Sequence, residues 1–200
     1  MKKTVLALLL CAAAAPVLAQ EAKPAAPPAA PAAAAPAAPV ADPAMTGLRI
    51  AWNRVKDITV RAAEKMPEEN YGFQPTPEVK TFAQLVGHLA DAQYMMAGML
   101  LGEKPPAIEA EKTKKTKAEL VAVLKDSVAY MDKAFALGDA EVGKPVKFFG
   151  MDATKFTIVG IAIGQGFEHY GNMVTYMRIK GLVPPSSEPR PAAPAPAEKK

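Results

Sequence analysis

Proline placement limits how much of this chain can fold. Of its 20 prolines, 14 lie outside the stretch from Ala44 to Val183. Proline removes a backbone donor and pushes the residue before it toward extended backbone, so dense proline runs form neither helix nor sheet. Residues 20–43 are almost entirely alanine and proline, and residues 184–200 repeat that composition. Both read as disordered arms, a linker before the core and a tail after it. The 140 residues between them are the only candidate for a packed core, close to the usual size of one domain. Two independent domains are excluded. So is a disulfide scaffold, because the only cysteine is Cys11.

The first 19 residues have a different character. Lys2 and Lys3 precede an apolar run from Val5 to Ala15, and Val17, Leu18 and Ala19 follow. A basic start, a short apolar stretch and small residues before a cut are the pattern of a secretory signal peptide, here cleaved after Ala19. The run is too short for a spanning helix, so no transmembrane span is expected in the mature chain. Cys11 is the one residue that could instead accept a lipid. Export places the protein in the periplasm or outside the cell. Cleavage removes Lys2, Lys3 and Cys11, leaving 22 basic and 20 acidic residues and no thiol. That near-neutral balance argues against a nucleic-acid partner. The one basic cluster, Lys112, Lys114, Lys115 and Lys117, is interleaved with Glu109, Glu111 and Glu119 and reads as a solvated loop.

Within the core, apolar residues recur at three- and four-residue steps in four segments, which predicts an all-α four-helix bundle. The first helix spans about 44–65, with Leu48, Trp52, Val55, Ile58 and Ala62 on one stripe. The second starts at Thr81, with Gln84 placed for a capping box, and carries Phe82, Leu85, Leu89, Ala92, Met96 and Met99. The third starts at Thr116, with Glu119 three residues on, and carries Leu120, Leu124, Val128, Met131 and Phe135. The fourth runs from about Asp152 or Thr154 to Lys180, with Phe156, Val159, Ile163, Phe167, Tyr170, Val174 and Met177 on one side. No strand is expected, since residues 145–151 are short and bounded by glycine. The connections after the first three helices are long for a bundle and carry extra surface. Gly160, Gly164, Gly166 and Gly171 fall inside the fourth helix, where each costs about 1 kcal/mol relative to alanine. Such a cluster needs close backbone packing, the commoner cause, or room for a ligand.

The chemistry rests on two histidines. His88 lies on the second helix and His169 on the fourth, with Gln165 one turn before His169 on the same face. Two imidazoles from different helices, with a third polar group a turn away, can build a metal site in a bundle core. Asp91, Glu168 and Tyr170 are neighbouring candidates for a base or for supporting hydrogen bonds. With no cysteine in the mature chain, no glycine-rich loop after a strand and no serine nucleophile motif, thiol catalysis and nucleotide binding find no support.

The segment from Tyr71 to Phe82, then Leu85-Val86-Gly87-His88-Leu89-Ala90-Asp91-Ala92, resembles the first-to-second-helix region of DinB-like proteins. His169-Tyr170-Gly171-Asn172, followed by Tyr176-Met177-Arg178, Gly181 and Pro184-Pro185-Ser186, resembles their fourth-helix signature. The resemblance covers the whole 140-residue core. It implies a four-helix bundle of up-down-down-up or similar topology, a homodimer, and a divalent metal such as zinc or nickel. Metal-bearing members carry one histidine on the second helix and a His-x-x-x-His pair on the fourth. His88 and His169 match the first and the last, and Gln165 stands where the middle histidine belongs. The activities implied are metal-dependent hydrolysis or thiol transfer on a small molecule, with Glu168 as base. An amide oxygen is a poor ligand beside imidazole, so the departure at Gln165 weakens that implication and favours a bundle that has lost its metal.

Overall fold

The computed structural model describes residues 40–189. The expected signal peptide, the linker up to residue 39 and the tail from residue 190 lie outside the described residues. In chain order the elements are α1 (Pro43–Lys65), a 3-10 turn (Glu68–Asn70), α2 (Phe82–Leu101), α3 (Ala110–Thr113), α4 (Lys117–Phe135), α5 (Asp139–Val142), β1 (Pro145–Phe148), β2 (Met151–Thr154), α6 (Lys155–Ile179) and a second 3-10 turn (Pro185–Ser187). The four long helices are the four expected from periodicity. Among the described residues no helix is long and apolar enough to cross a membrane.

Local chemistry explains where the helices begin. Thr81 Oγ accepts the Gln84 amide while Gln84 Oε1 accepts the Thr81 amide, at 3.2 and 2.8 Å. Thr116 and Glu119 make the same reciprocal pair at the start of α4. Each pair satisfies amides that a helix start leaves without partners. The start of α1 is capped from a distance. Asp139 accepts the amides of Ala44 and Met45 at 3.1 and 2.8 Å, and Asp42 accepts the Asp139 amide at 2.8 Å. Gly138 permits this approach, because a Cβ there would lie 2.9 Å from Asp42 Oδ1.

The long helices pack in the order α1, α4, α2, α6 around two buried apolar clusters. α1 touches α4 and α6, and α2 touches the same two. Helices consecutive in sequence therefore sit diagonally twice: α1 opposite α2, and α4 opposite α6. Residues 66–81 and 136–154 are long enough to make these diagonal steps. Phe82, Ile58, Leu89, Leu124 and Met177 are among the fully buried side chains. Burial of each large one contributes about 1.5–3 kcal/mol. Trp52 stacks on Phe135 with ring centroids 4.7 Å apart, and its Nε1 donates to Asp132 at 2.6 Å.

Three expectations are corrected. Residues 145–154 form an antiparallel hairpin, pairing Pro145 with Thr154 through Phe148 with Met151. Its loop is Phe149–Gly150, both at positive φ (45° and 82°), as a two-residue hairpin turn demands. Phe156 and Phe167 are not core residues. They are 42% and 40% exposed, while α6 buries Ile158, Val159, Ala162, Ile163, Tyr170, Met173, Tyr176 and Met177. Finally, the packed structure does not stop at Val183. Pro184 and Pro185 are buried, and Glu188 pairs with both Arg61 and Lys65 of α1. The tail's composition predicts disorder, but its first six residues dock because buried Tyr170 supplies an acceptor, its hydroxyl taking the Ser186 amide at 2.8 Å. At the other end, residues 40–43 leave the expected linker, and Pro43 opens α1.

Candidate functional site

Facing helices bring the two histidines together. The rings of His88 on α2 and His169 on α6 meet edge to face, with centroids 4.9 Å apart. Gln165, one turn before His169, places its amide nitrogen 3.4 Å from His88 Nε2. These three side chains, expected as a set from the sequence, share one place in the structure.

The other candidates separate. The carboxylate of Asp91 accepts the Ala110 and Glu111 amides, at 2.6 and 3.0 Å. It works as a cap for α3. The Tyr170 hydroxyl is occupied by Ser186, so Tyr170 holds the C-terminal turn against α6. Glu168 remains exposed at the site's edge.

Glu111 is a member of the site that sequence reading passed over. Its Oε2 lies 3.3 Å from His88 Nδ1, and its other oxygen pairs with Lys80. In the sequence the same carboxylate belongs to a solvated loop, because only tertiary structure carries α3 back onto α2. One signal was available in Gly87. A Cβ there would lie 2.5 Å from Glu111 Cα and 2.7 Å from Glu111 N. The glycine beside His88 is what lets the α3 backbone rest on α2.

A carboxylate facing Nδ1 favours a proton on that nitrogen and leaves Nε2 as the acceptor, here presented to the Gln165 amide. His169 differs. Its Nδ1 is buried with no hydrogen-bond partner among the described residues. Burial first, and then the neighbouring His88, hold its imidazole below the ordinary histidine value. Glu168 and Glu111 oppose that shift without reversing it. Two imidazoles and a neutral amide thus converge.

His88 and Gln165 of this pole line a groove of about 650 Å³ between α2, α6 and the hairpin. The rest of the lining is mostly apolar and includes Met95, Met96, Phe148, Phe149 and Ile161. A second hollow of about 670 Å³ lies between α1 and the C-terminal turn. Its charged residues include Arg61 and Glu188, which already pair, and it holds no imidazole, so the groove is the better candidate.

As a metal site the pole is short of donors. Among the described residues, no three His, Cys, Asp or Glu side chains converge as such a site needs. The third position is an amide, and the carboxylate of Glu111 faces the Nδ1 edge of His88. This donor set does not fit a tightly held divalent ion.

A family model described as the DinB superfamily matches residues 51–172. No curated protein matches the chain. Several solved structures do. A DinB-like protein from Bacillus cereus superposes with a TM-score of 0.62 at 16% identity, covering 70% of this chain and 95% of that one. A DinB-like protein from Bacillus subtilis gives 0.59 at 19% identity, covering 72% and 99%. YfiT from Bacillus subtilis, described as a probable metal-dependent hydrolase with an unusual four-helix bundle topology, gives 0.56 at 16% identity, covering 74% and 94%. At these identities the likeness establishes the shared fold.

Proposed function

Because the chain belongs to the DinB superfamily, we propose that it is an exported member whose metal centre has degenerated and whose groove binds a small molecule. The observation that carries this reading is Gln165. Its amide faces His88 Nε2 at 3.4 Å, where the family's third imidazole would complete a ligand set. Substituting a neutral amide for an imidazole removes the donor that zinc and nickel prefer. The groove remains, with an imidazole acceptor in a lining that is otherwise mostly apolar. A concave, mostly apolar site with a few convergent polar groups is how small molecules are held.

A second reading, a metal-dependent hydrolase or thiol transferase, is favoured by one feature. Glu111 still faces His88 Nδ1, as carboxylates face the second nitrogen of metal-bound histidines. Metal analysis separates the two readings. The purified protein is dialysed against zinc, nickel and manganese in turn, and bound metal is measured. The degenerate-site reading expects less than stoichiometric metal in the natural chain and recovery of one ion per chain in Gln165→His. Stoichiometric metal in the natural chain, lost in His88→Ala, would overturn it. Export is tested by fractionation, and by a mature N-terminus at Gln20.

A further inference from the structure

The groove has a glycine in its wall that the protein's own packing does not require. Gly164 lies inside α6 and lines the groove, and a Cβ built on it would meet nothing within 4 Å. Gly166 is different. Its Cβ would lie 2.8 Å from Val55 Cγ2, so the approach of α1 demands a glycine there. Helix interiors disfavour glycine, and at Gly164 no contact among the described residues offsets that. The space its missing side chain leaves open is groove.

The hairpin contributes a second residue, Phe149, whose ring meets Phe148 edge to face with centroids 4.5 Å apart. Phe149 stands at φ 45° in a turn position suited to asparagine or glycine, yet it presents a phenyl ring 72% exposed. Backbone held in a sparsely populated region is more common at functional sites than elsewhere. Met95, Met96 and Ile161 complete an apolar slot with Gly164 and Phe149. Methionine side chains adapt to varied shapes, which suits a ligand surface.

The charges lining the slot have one sign. Asp91 and Glu168 contribute carboxylates, and among the described residues no lysine or arginine is part of the lining. Asp91 is committed to two backbone amides, whereas Glu168 is exposed beside His169. Lys80 is paired with Glu111.

Resting on the reading of the groove as a ligand site, the geometry points to a small apolar amine as the ligand. Its ring or chain lies over Gly164 against Phe149 and the methionines. Its protonated nitrogen sits beside Glu168, within reach of the His88–Gln165 pole. Carboxylates and phosphate esters of the same size are rejected by like charge.

Calorimetric titration of the full mature chain with phenethylamine, phenethyl alcohol and phenylacetate tests this at neutral pH. The amine binds about tenfold tighter than the carboxylate, with the alcohol between them. Glu168→Gln brings the amine down to the alcohol's affinity. Gly164→Leu abolishes amine binding while the melting temperature rises by about 2–4 °C, since the helix gains a better former and nothing is displaced. Gly160→Leu, also in open space but outside the groove lining, raises the melting temperature similarly and leaves binding unchanged. Phenylacetate binding as tightly as the amine, or unchanged binding in Gly164→Leu, overturns the inference while leaving the groove a ligand site. Binding of none of the three probes overturns both.

Discussion

Replacing Gly87 by alanine sets two effects of opposite sign against each other. Helix propensity alone says the change stabilises α2 by about 1 kcal/mol. The contact says otherwise. The new Cβ would lie 2.5 Å from Glu111 Cα, 2.7 Å from Glu111 N and 3.0 Å from the Ala110 carbonyl carbon. Carbon atoms rest about 3.5–4.0 Å apart, so α3 must retreat by about 1 Å. All three atoms are backbone, so no rotamer change relieves the clash. Overpacking of this kind costs about 1–3 kcal/mol. The retreat also stretches the bonds from the Ala110 and Glu111 amides to Asp91, now 2.6 and 3.0 Å. Hydrogen bonds to a charged group contribute about 1.5–3 kcal/mol each. Even with partial loss, the net change is destabilising by about 1–3 kcal/mol, a fall in melting temperature of about 3–10 °C for a core of this size. Circular dichroism melts measure the fall. The ring signals of His88 in NMR report whether Glu111 has left Nδ1. A Gly87→Ala protein that melts higher than the natural chain with His88 signals unmoved would refute the steric argument.

Two further outcomes follow from contacts already described. Burial and the neighbouring His88 depress the His169 pKa, so the unfolded chain binds a proton more readily than the folded one. Stability is therefore full above about pH 6.5 and falls as the pH drops from there toward the folded-state value. An NMR titration should place the His169 midpoint below 6.5, and a midpoint at or above it would contradict the buried, unpartnered Nδ1. Tyr170→Phe leaves the Ser186 amide without its acceptor and should cost about 1 kcal/mol. Hydrogen exchange at Ser186 should quicken while amides in α2 are unaffected.

Much of this architecture was legible because its signals are local. Thr81 with Gln84 and Thr116 with Glu119 announce helix starts within four residues, and both pairs close as capping boxes. His88, Gln165 and His169 were legible as a set because helical spacing fixes which residues share a face. What stayed hidden depends on tertiary contacts. The hairpin has strands of only four residues and a Phe-Gly turn in place of Asn-Gly, so neither alternation nor turn chemistry announces it. Phe156 and Phe167 mimic a core stripe, yet the flanking helices cover a different sector of α6. Glu111 reaches His88 only because Asp91 and Gly87 bring α3 against α2.

The reciprocal contact between Asp42 and Asp139 bears on the order of folding. Threonine boxes at α2 and α4 can form as soon as their own turns do. The first turn of α1 cannot, because its amides are satisfied by a residue 94 to 95 positions away. Closing a loop of that length is entropically costly and comes after local structure has formed. The start of α1 is thus fastened only when α5 docks. Energy lost there should appear as faster unfolding, with the refolding rate little changed.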